Sequence, residues 1–448
     1  MPGWLLYPAT LLAILILTYP FYRVRSVIAR YVLFALCFRY LASAHHDFTF
    51  EASPIGISWN ALGSSAIFLL GLLLIRTRHL LLTLLVPFYA VTAVVVLSAL
   101  ANHVIGSSID VVVKFGYLIV ITISVYESLS ERGEERTMSL LLWAMTTPLL
   151  FQMLSVAFGI KKGSEDLGSI SYIGGYNHEA GFSTVLATGL VIACFAMGLR
   201  IWARGAVLLM LLAGLLLANY RTTIVAFAPL AFVQFNADVI ARFSPRVRII
   251  IGLVILGVSA VGVLAAAWVL RERFADLGTV FSDPGRLIKP PEFYTPDEKR
   301  LMSARPYIWA GYINAYLNGG TKNLLLGFGP NAWVGIFPVY AHNTLISTLY
   351  EYGIVGVCAM IVLWSSMFIA ALRVKEGQKG KLLAAHASFL LLNMATMPHW
   401  TIEGNILYGI ICGYTLYLLP GPATRPLANA GMVPKPALTP LSRPQILK

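Results

Sequence analysis

Runs of about 17 to 25 predominantly apolar residues recur along this 448-residue chain, and each is long enough to cross the hydrocarbon core of a bilayer as an α-helix. They lie near residues 4 to 20, 26 to 43, 57 to 75, 80 to 100, 109 to 126, 138 to 159, 181 to 199, 205 to 219, 222 to 235, 249 to 270, 342 to 372, 382 to 398 and 404 to 419. The pattern predicts an all-α, polytopic integral membrane protein with about 12 to 13 transmembrane helices. Residues 205 to 235 read either as two helices or as one long helix broken at Arg221.

Composition agrees. Apolar residues make up 58% of the chain and charged ones 12%, against roughly 25% charged in an ordinary soluble domain. The formal charge of +13 raises the question of nucleic acid. The basic residues, however, fall between apolar runs and form no stripe interleaved with aromatics, so they read as cytoplasmic anchoring charge and no nucleic-acid partner is expected. Cys37, Cys194, Cys358 and Cys412 all lie inside apolar runs without a C-x-x-C pair, against both a disulfide framework and a zinc site. Met1 to Pro20 lacks a basic leader and a small-residue cleavage site, and is expected to stay as a membrane helix.

Basic residues occupy alternate loops: Arg23 and Arg25, Arg76 and Arg78, Arg132 and Arg136, Arg200 and Arg204, Arg242 with Arg246 and Arg248, then Arg373 with Lys375, Lys379 and Lys381. Those loops are expected in the cytoplasm. The intervening loops around His45 to Ser53, Asn102 to Ser108 and Met397 to Glu403 carry no lysine or arginine, and Lys161 to Glu179 carries two lysines, so these face outward. The same alternation puts Arg221, residues 271–341 and His342 on the outer side. Four regions follow: transmembrane helices over 1–270, a large periplasmic loop over 271–341, further helices over 342–419, and a disordered cytoplasmic tail over 420–448, where 29 positions hold seven prolines and four basic residues.

A loop of about 70 residues is too long for a structureless connection. Arg305 to Asn318 can form an amphipathic helix, with Trp309, Tyr312, Ile313 and Tyr316 at helical spacing and Gly319-Gly320 as its stop. It would lie on the outer membrane surface and roof a pocket. Upstream, Ser282 to Pro296 is proline-rich and reads as irregular or mobile.

His342 stands at the mouth of an apolar run with Asn343 beside it and Arg305 37 residues upstream, a costly placement unless it is used. A neutral imidazole can take a proton from an attacking hydroxyl. The plainer alternative is a histidine that caps its helix through Asn343. Other ionisable groups at or within the spans are Arg39, Lys114, Glu351, His399 and Glu403. Counted along a helix from His342, Glu351 falls on the opposite face and roughly 13 Å deeper, so it is expected to bond to a neighbouring helix. Glu403 is placed to orient His342. Arg39 and Lys114 either extend a positive pocket or pair with Asp47 and Asp110. Outside the membrane, Tyr172 to Gly181 offers glycines, aromatics and the pair His178-Glu179, which suit contact with sugar.

Arg305-x-x-x-Trp309, Gly327-x-Gly329, His342-Asn343 and Glu351-x-Gly353-x-x-Gly356 resemble the O-antigen ligase and polysaccharide polymerase (Wzy-like) superfamily of bacterial membrane proteins. Asn219-Tyr220-Arg221-Thr222-Thr223 is similar to that family's arginine at a helix end. The resemblance covers roughly the C-terminal half. It implies a metal-independent, inverting glycosyltransferase of the bacterial inner membrane, acting at the periplasmic face on an undecaprenyl-diphosphate-linked oligosaccharide donor and a saccharide acceptor. His342 would be the base. Arg221 and Arg305 would hold the departing diphosphate, since a guanidinium fork binds its oxygens bidentately, with Lys322 a weaker candidate. The plainer readings are a snorkelling Arg221 and a solvated Arg305. Asn343, His178, Glu179, Glu403 and Arg39 complete the possible substrate contacts. Glu179 stands where the family often has a basic residue, which tilts the reading toward a polymerase of O-antigen or exopolysaccharide repeats over a ligase acting on lipid A-core. No Walker motif and no acidic D-x-D cluster occurs, so neither ATP nor a metal is expected and no cofactor is assigned. The rival from another class is a transporter or flippase of lipid-linked sugars.

Overall fold

The computed structural model describes residues 1–163, 170–238 and 289–419, with a few isolated positions between 243 and 253. Its helices are α1 (Gly3–Arg23), α2 (Val27–Ala44), α3 (Trp59–Leu74), α4 (Val86–Ala101), α5 (Ile105–Arg132), α6 (Glu134–Leu142), α7 (Thr146–Ala157), α8 (Glu179–Phe195), α9 (Ile201–Ala218) and α10 (Arg221–Asp238). After the segment left undescribed come α11 (Arg305–Leu317), α12 (Thr321–Leu326), α13 (Thr344–Leu372), α14 (Lys379–Asn393) and α15 (Ile402–Leu418). Strand structure among the described residues is confined to a two-residue antiparallel pair, Lys162–Gly163 with Ile170–Ser171. Among the described residues seven helical stretches are long and apolar enough to cross a membrane, and α3 and α8 are shorter apolar helices. The chain is a helical, polytopic membrane protein.

Polar side chains set the starts of the helices. Ser26, Ser58, Asn343 and Thr401 each accept a bond from a backbone N–H in the first turn of α2, α3, α13 and α15, satisfying donors that have no partner within the helix. At the centre α15 packs against α5. A Cβ at Gly413 would stand 2.6 Å from the Thr122 carbonyl oxygen and one at Gly409 2.7 Å from Ile121, so the two backbones approach only because these positions lack side chains. Nearly all of α8 is buried, with Phe195 stacked on Tyr414 of α15 at 4.2 Å.

Contacts sort the loops into two sets. At one end Arg76 and Ser26 both reach Glu131, each at 2.8 Å, while Tyr414 and Gln378 reach Glu134 and Lys381 reaches the Cys194 carbonyl. This is the basic end. At the other, Asn102 bonds the Gly327 carbonyl, Asn219 that of Ile170, His46 that of Gly175 and Asn343 that of Met394. The loops poor in arginine and lysine thus meet each other. The span near 249–270, Arg242 and Arg248, residues 271–288 and the tail 420–448 lie outside the described residues.

Several expectations change. Residues 205–235 form two helices, divided at Asn219, which is left-handed (φ 54), as asparagine tolerates at a helix end. The run from 138 to 159 is interrupted by a 3-10 turn at Trp143–Met145. The Arg305–Asn318 helix forms and buries Tyr312 and Tyr316, whereas Ile313 is exposed. Within Ser282 to Pro296, the described residues from Lys289 are pinned: Lys289 pairs with Glu298 at 2.6 Å and the Tyr294 ring is buried.

The largest change concerns α13. It begins at Thr344 and breaks at Gly353 (φ 66, ψ −166); His342, at φ 52, lies outside it, so a helical count that starts from His342 does not give the face of Glu351. Ser98 in the last turn of α4 bonds the carbonyls of both Leu326 and Glu351, which places Glu351 at the pocket end and not deep in the bundle. Its carboxylate accepts from the Asn331 backbone N–H (2.9 Å), Ser347 (2.8 Å) and Tyr352 (3.2 Å). It ties the 327–331 loop to α13, in place of the expected neighbouring span.

Candidate active site

His342 is held from both sides by its chain neighbours. The Trp309 indole N–H donates to the Ala341 carbonyl at 2.8 Å, fixing the residue before it to α11. Asn343, the residue after it, accepts from the N–H groups of Leu345 and Ile346 and donates to Met394. Asn343 is therefore a buried cap, its side chain engaged by the fold. Between these anchors His342 adopts φ 52, and its half-buried ring lies 4.0 Å from that of Tyr340.

The roof over this turn is aromatic. Tyr312 of α11 stacks on Phe337 at 4.0 Å, and Tyr350 of α13 meets both rings edge-on. Below it the Gly-x-Gly loop and the α13 break interlock. A Cβ on Gly327 would stand 2.2 Å from the Glu351 carbonyl carbon, and one on Gly353 2.4 Å from that of Leu325.

Arg305 opens α11 and Arg221 opens α10. Two tyrosines feel the charge of Arg305. Burial pushes the Tyr220 phenol up to about 12 and raises that of Tyr340, while the positive charge of Arg305 works against burial at both. Both phenols therefore stay protonated at neutral pH and can donate a hydrogen bond. Tyr220 precedes Arg221 in the chain, and its ring meets that of His178 edge-on at 6.5 Å. Among the described residues, no carboxylate pairs with Arg221 or Arg305. Cations without a carboxylate partner at one end of the bundle are suited to an outside anion.

Beside Tyr340 lies a cavity of about 610 Å³, built from the end of α2, the starts of α3, α5, α8 and α15, and Tyr340 itself. Arg39 and Glu403 both line it, with a bond from Arg39 Nε to Glu403 Oε1 (2.9 Å) and a second to Oε2 (3.1 Å). Ser43 donates to the same carboxylate at 2.6 Å, and Asn60 accepts from Arg39. This overturns one expectation, since Glu403 is engaged by Arg39 and does not orient His342. Of the two alternatives open for Arg39, pairing with Asp47 does not occur, and Asp47 lies instead at 3.0 Å from His46. Lys114 pairs with Asp110 at 2.5 Å, one of the two alternatives open from sequence.

The remaining candidates divide. His178 lines the cavity and accepts from the Ala180 N–H at the start of α8. Glu179 lies 3.7 Å from His178 and accepts from Ser171. Lys322 donates to the Ala101 carbonyl beyond the cavity lining. His399 is buried between Trp364 and Asn405 in the core. Sequence reasoning missed Tyr340 and Trp400, and it covered Asn177 only as part of the Tyr172 to Gly181 stretch; the signal for Tyr340 was its position two residues before His342. Among the described residues no three His, Cys, Asp or Glu side chains group so as to hold a metal ion. Comparison with protein-family models and with curated proteins finds no match to the chain.

Proposed function

We propose that the chain is a metal-independent, inverting glycosyltransferase that extends a glycan at the outer face of a bacterial inner membrane. The arginine-rich loops anchor the basic end in the cytoplasm, which turns the cavity and His342 toward the periplasm. The donor is an undecaprenyl-diphosphate-linked oligosaccharide, already activated on that side. His342 takes the proton of an acceptor hydroxyl as its oxygen attacks the anomeric carbon. The new glycosidic bond forms with inversion, and the bond from that carbon to the diphosphate oxygen breaks. Arg305 and Arg221 bind the departing diphosphate, with the phenols of Tyr220 and Tyr340 as further donors.

The observation that supports this reading is His342 packed on Tyr340 at one end of the bundle, with the charge of Arg305 acting on Tyr340 and on Tyr220, the residue before Arg221. Repeat-unit polymerisation is favoured over ligation to lipid A-core, because Glu179 places a carboxylate where the family that the sequence resembles often has a basic residue. The test is incubation of purified protein, in detergent and without any gradient, with a lipid-linked oligosaccharide. Release of undecaprenyl diphosphate with a longer glycan is expected. Absence of release, together with movement of the intact lipid-linked sugar across vesicles, would make the chain a transporter.

A further inference from the structure

The cavity beside Tyr340 differs in chemistry from the neighbouring arginines. Both cations that line it already have acidic partners, Arg39 in Glu403 and Lys114 in Asp110. Arg39 and Glu403 are each 6% exposed. An incoming anion that displaced either from so buried a pair would leave the other uncompensated. A diphosphate is therefore better served by Arg305 and Arg221.

Apart from His178 and the paired charges, the groups left to a ligand in the cavity are neutral, and many are apolar, among them Phe50, Ile57 and Ile109. Asn177 is exposed there and its amide makes no hydrogen bond among the described residues. Ser65, Tyr340 and Trp400 also line the space. Amide and hydroxyl groups beside aromatic faces match a sugar ring, which carries hydroxyls at its rim and C–H groups on its faces. At about 610 Å³ the volume lies within the range of small-ligand sites. Tyr340 contributes to the wall and packs on His342, so a hydroxyl held in the cavity lies one ring away from the base.

We infer that this cavity is the acceptor subsite, a neutral-saccharide site separated from the diphosphate-binding arginines by Tyr340 and His342. The inference rests on the transferase reading above, yet it makes a claim about binding that can be read without turnover.

The probe is the oligosaccharide freed by mild acid from the lipid-linked donor of the cells that express the chain, labelled at its reducing end. Its binding to the full-length protein in detergent is measured by equilibrium dialysis, beside binding of labelled inorganic pyrophosphate. Asn177→Ala is expected to weaken glycan binding about three- to tenfold, the worth of one hydrogen bond, and to leave pyrophosphate binding unchanged. Ala61→Trp, which fills the cavity from the wall of α3, abolishes glycan binding alone. Arg305→Ala does the reverse. Glycan binding that pyrophosphate displaces, or that survives both cavity variants, overturns the inference. Release of undecaprenyl diphosphate by the same preparation separates the two claims. Release without glycan binding removes the subsite and keeps the transferase; glycan binding without release does the opposite; neither removes both.

Discussion

His342 is left-handed at φ 52, a backbone region that costs most side chains roughly 1 to 2 kcal/mol. It is kept there by Trp309 on one side and the Asn343 cap on the other, and such over-determined positions cluster at functional sites. If the imidazole is the base, His342→Ala lowers turnover about 10² to 10⁴-fold and leaves donor binding nearly intact, since the lost interaction exists mainly in the transition state. Binding of a labelled lipid donor measured beside single-turnover transfer reads the two effects separately. Lost binding with a normal rate in the bound fraction moves the search for the base to His178. The buried pair Arg39–Glu403 gives a stability prediction. Glu403→Ala leaves a buried guanidinium unpaired and costs about 3 to 5 kcal/mol, while Arg39→Met combined with Glu403→Met recovers most of it. Thermal melts in detergent check the order. His342 and the arginines were legible because charged groups beside apolar runs are rare. The pairing of Arg39 with Glu403 was not, because 364 residues separate them and no local spacing joins them.

At the scale of elements, the junction of the Gly-x-Gly loop with α13 determines where the roof sits. Gly327 and Gly353 combine positive φ with backbone contacts too close for a Cβ. Gly327→Ala and Gly353→Ala each force the 327–331 loop away from α13, at a cost above the ordinary left-handed penalty of about 1 kcal/mol. Gly335 has φ 80 but open space around it, so Gly335→Ala pays only that penalty. Proteolysis of the 329–340 segment is expected to accelerate in the first two variants and hardly change in the third. The roof helix itself was readable, since Tyr312 and Tyr316 repeat at helical spacing. The position of Glu351 was misread for a physical reason: the periodicity count took His342 as helical, whereas its left-handed backbone lies outside the helix that starts at Thr344.

Across the whole molecule, alternation of basic loops gives a topology that vesicle labelling can check. With Cys358→Ser removing the exposed native thiol, a membrane-impermeant maleimide should label Arg78→Cys and Lys375→Cys only in inverted vesicles. Phe158→Cys and Asn318→Cys should react only in right-side-out ones. Labelling of both sets from one side would remove the outward orientation of the site. The sequence by itself determined the helical membrane architecture and most span positions, because transfer of apolar side chains into lipid depends on local composition and length. It also grouped the loops, because the bias of lysine and arginine is a property of each loop separately. Only the tertiary structure decided that α13 breaks, that Glu403 belongs to Arg39, and that Tyr340 stands between His342 and a cavity with paired charges. Those facts depend on which distant groups meet, and hydrogen bonds and ion pairs across hundreds of residues leave no periodic trace in the chain.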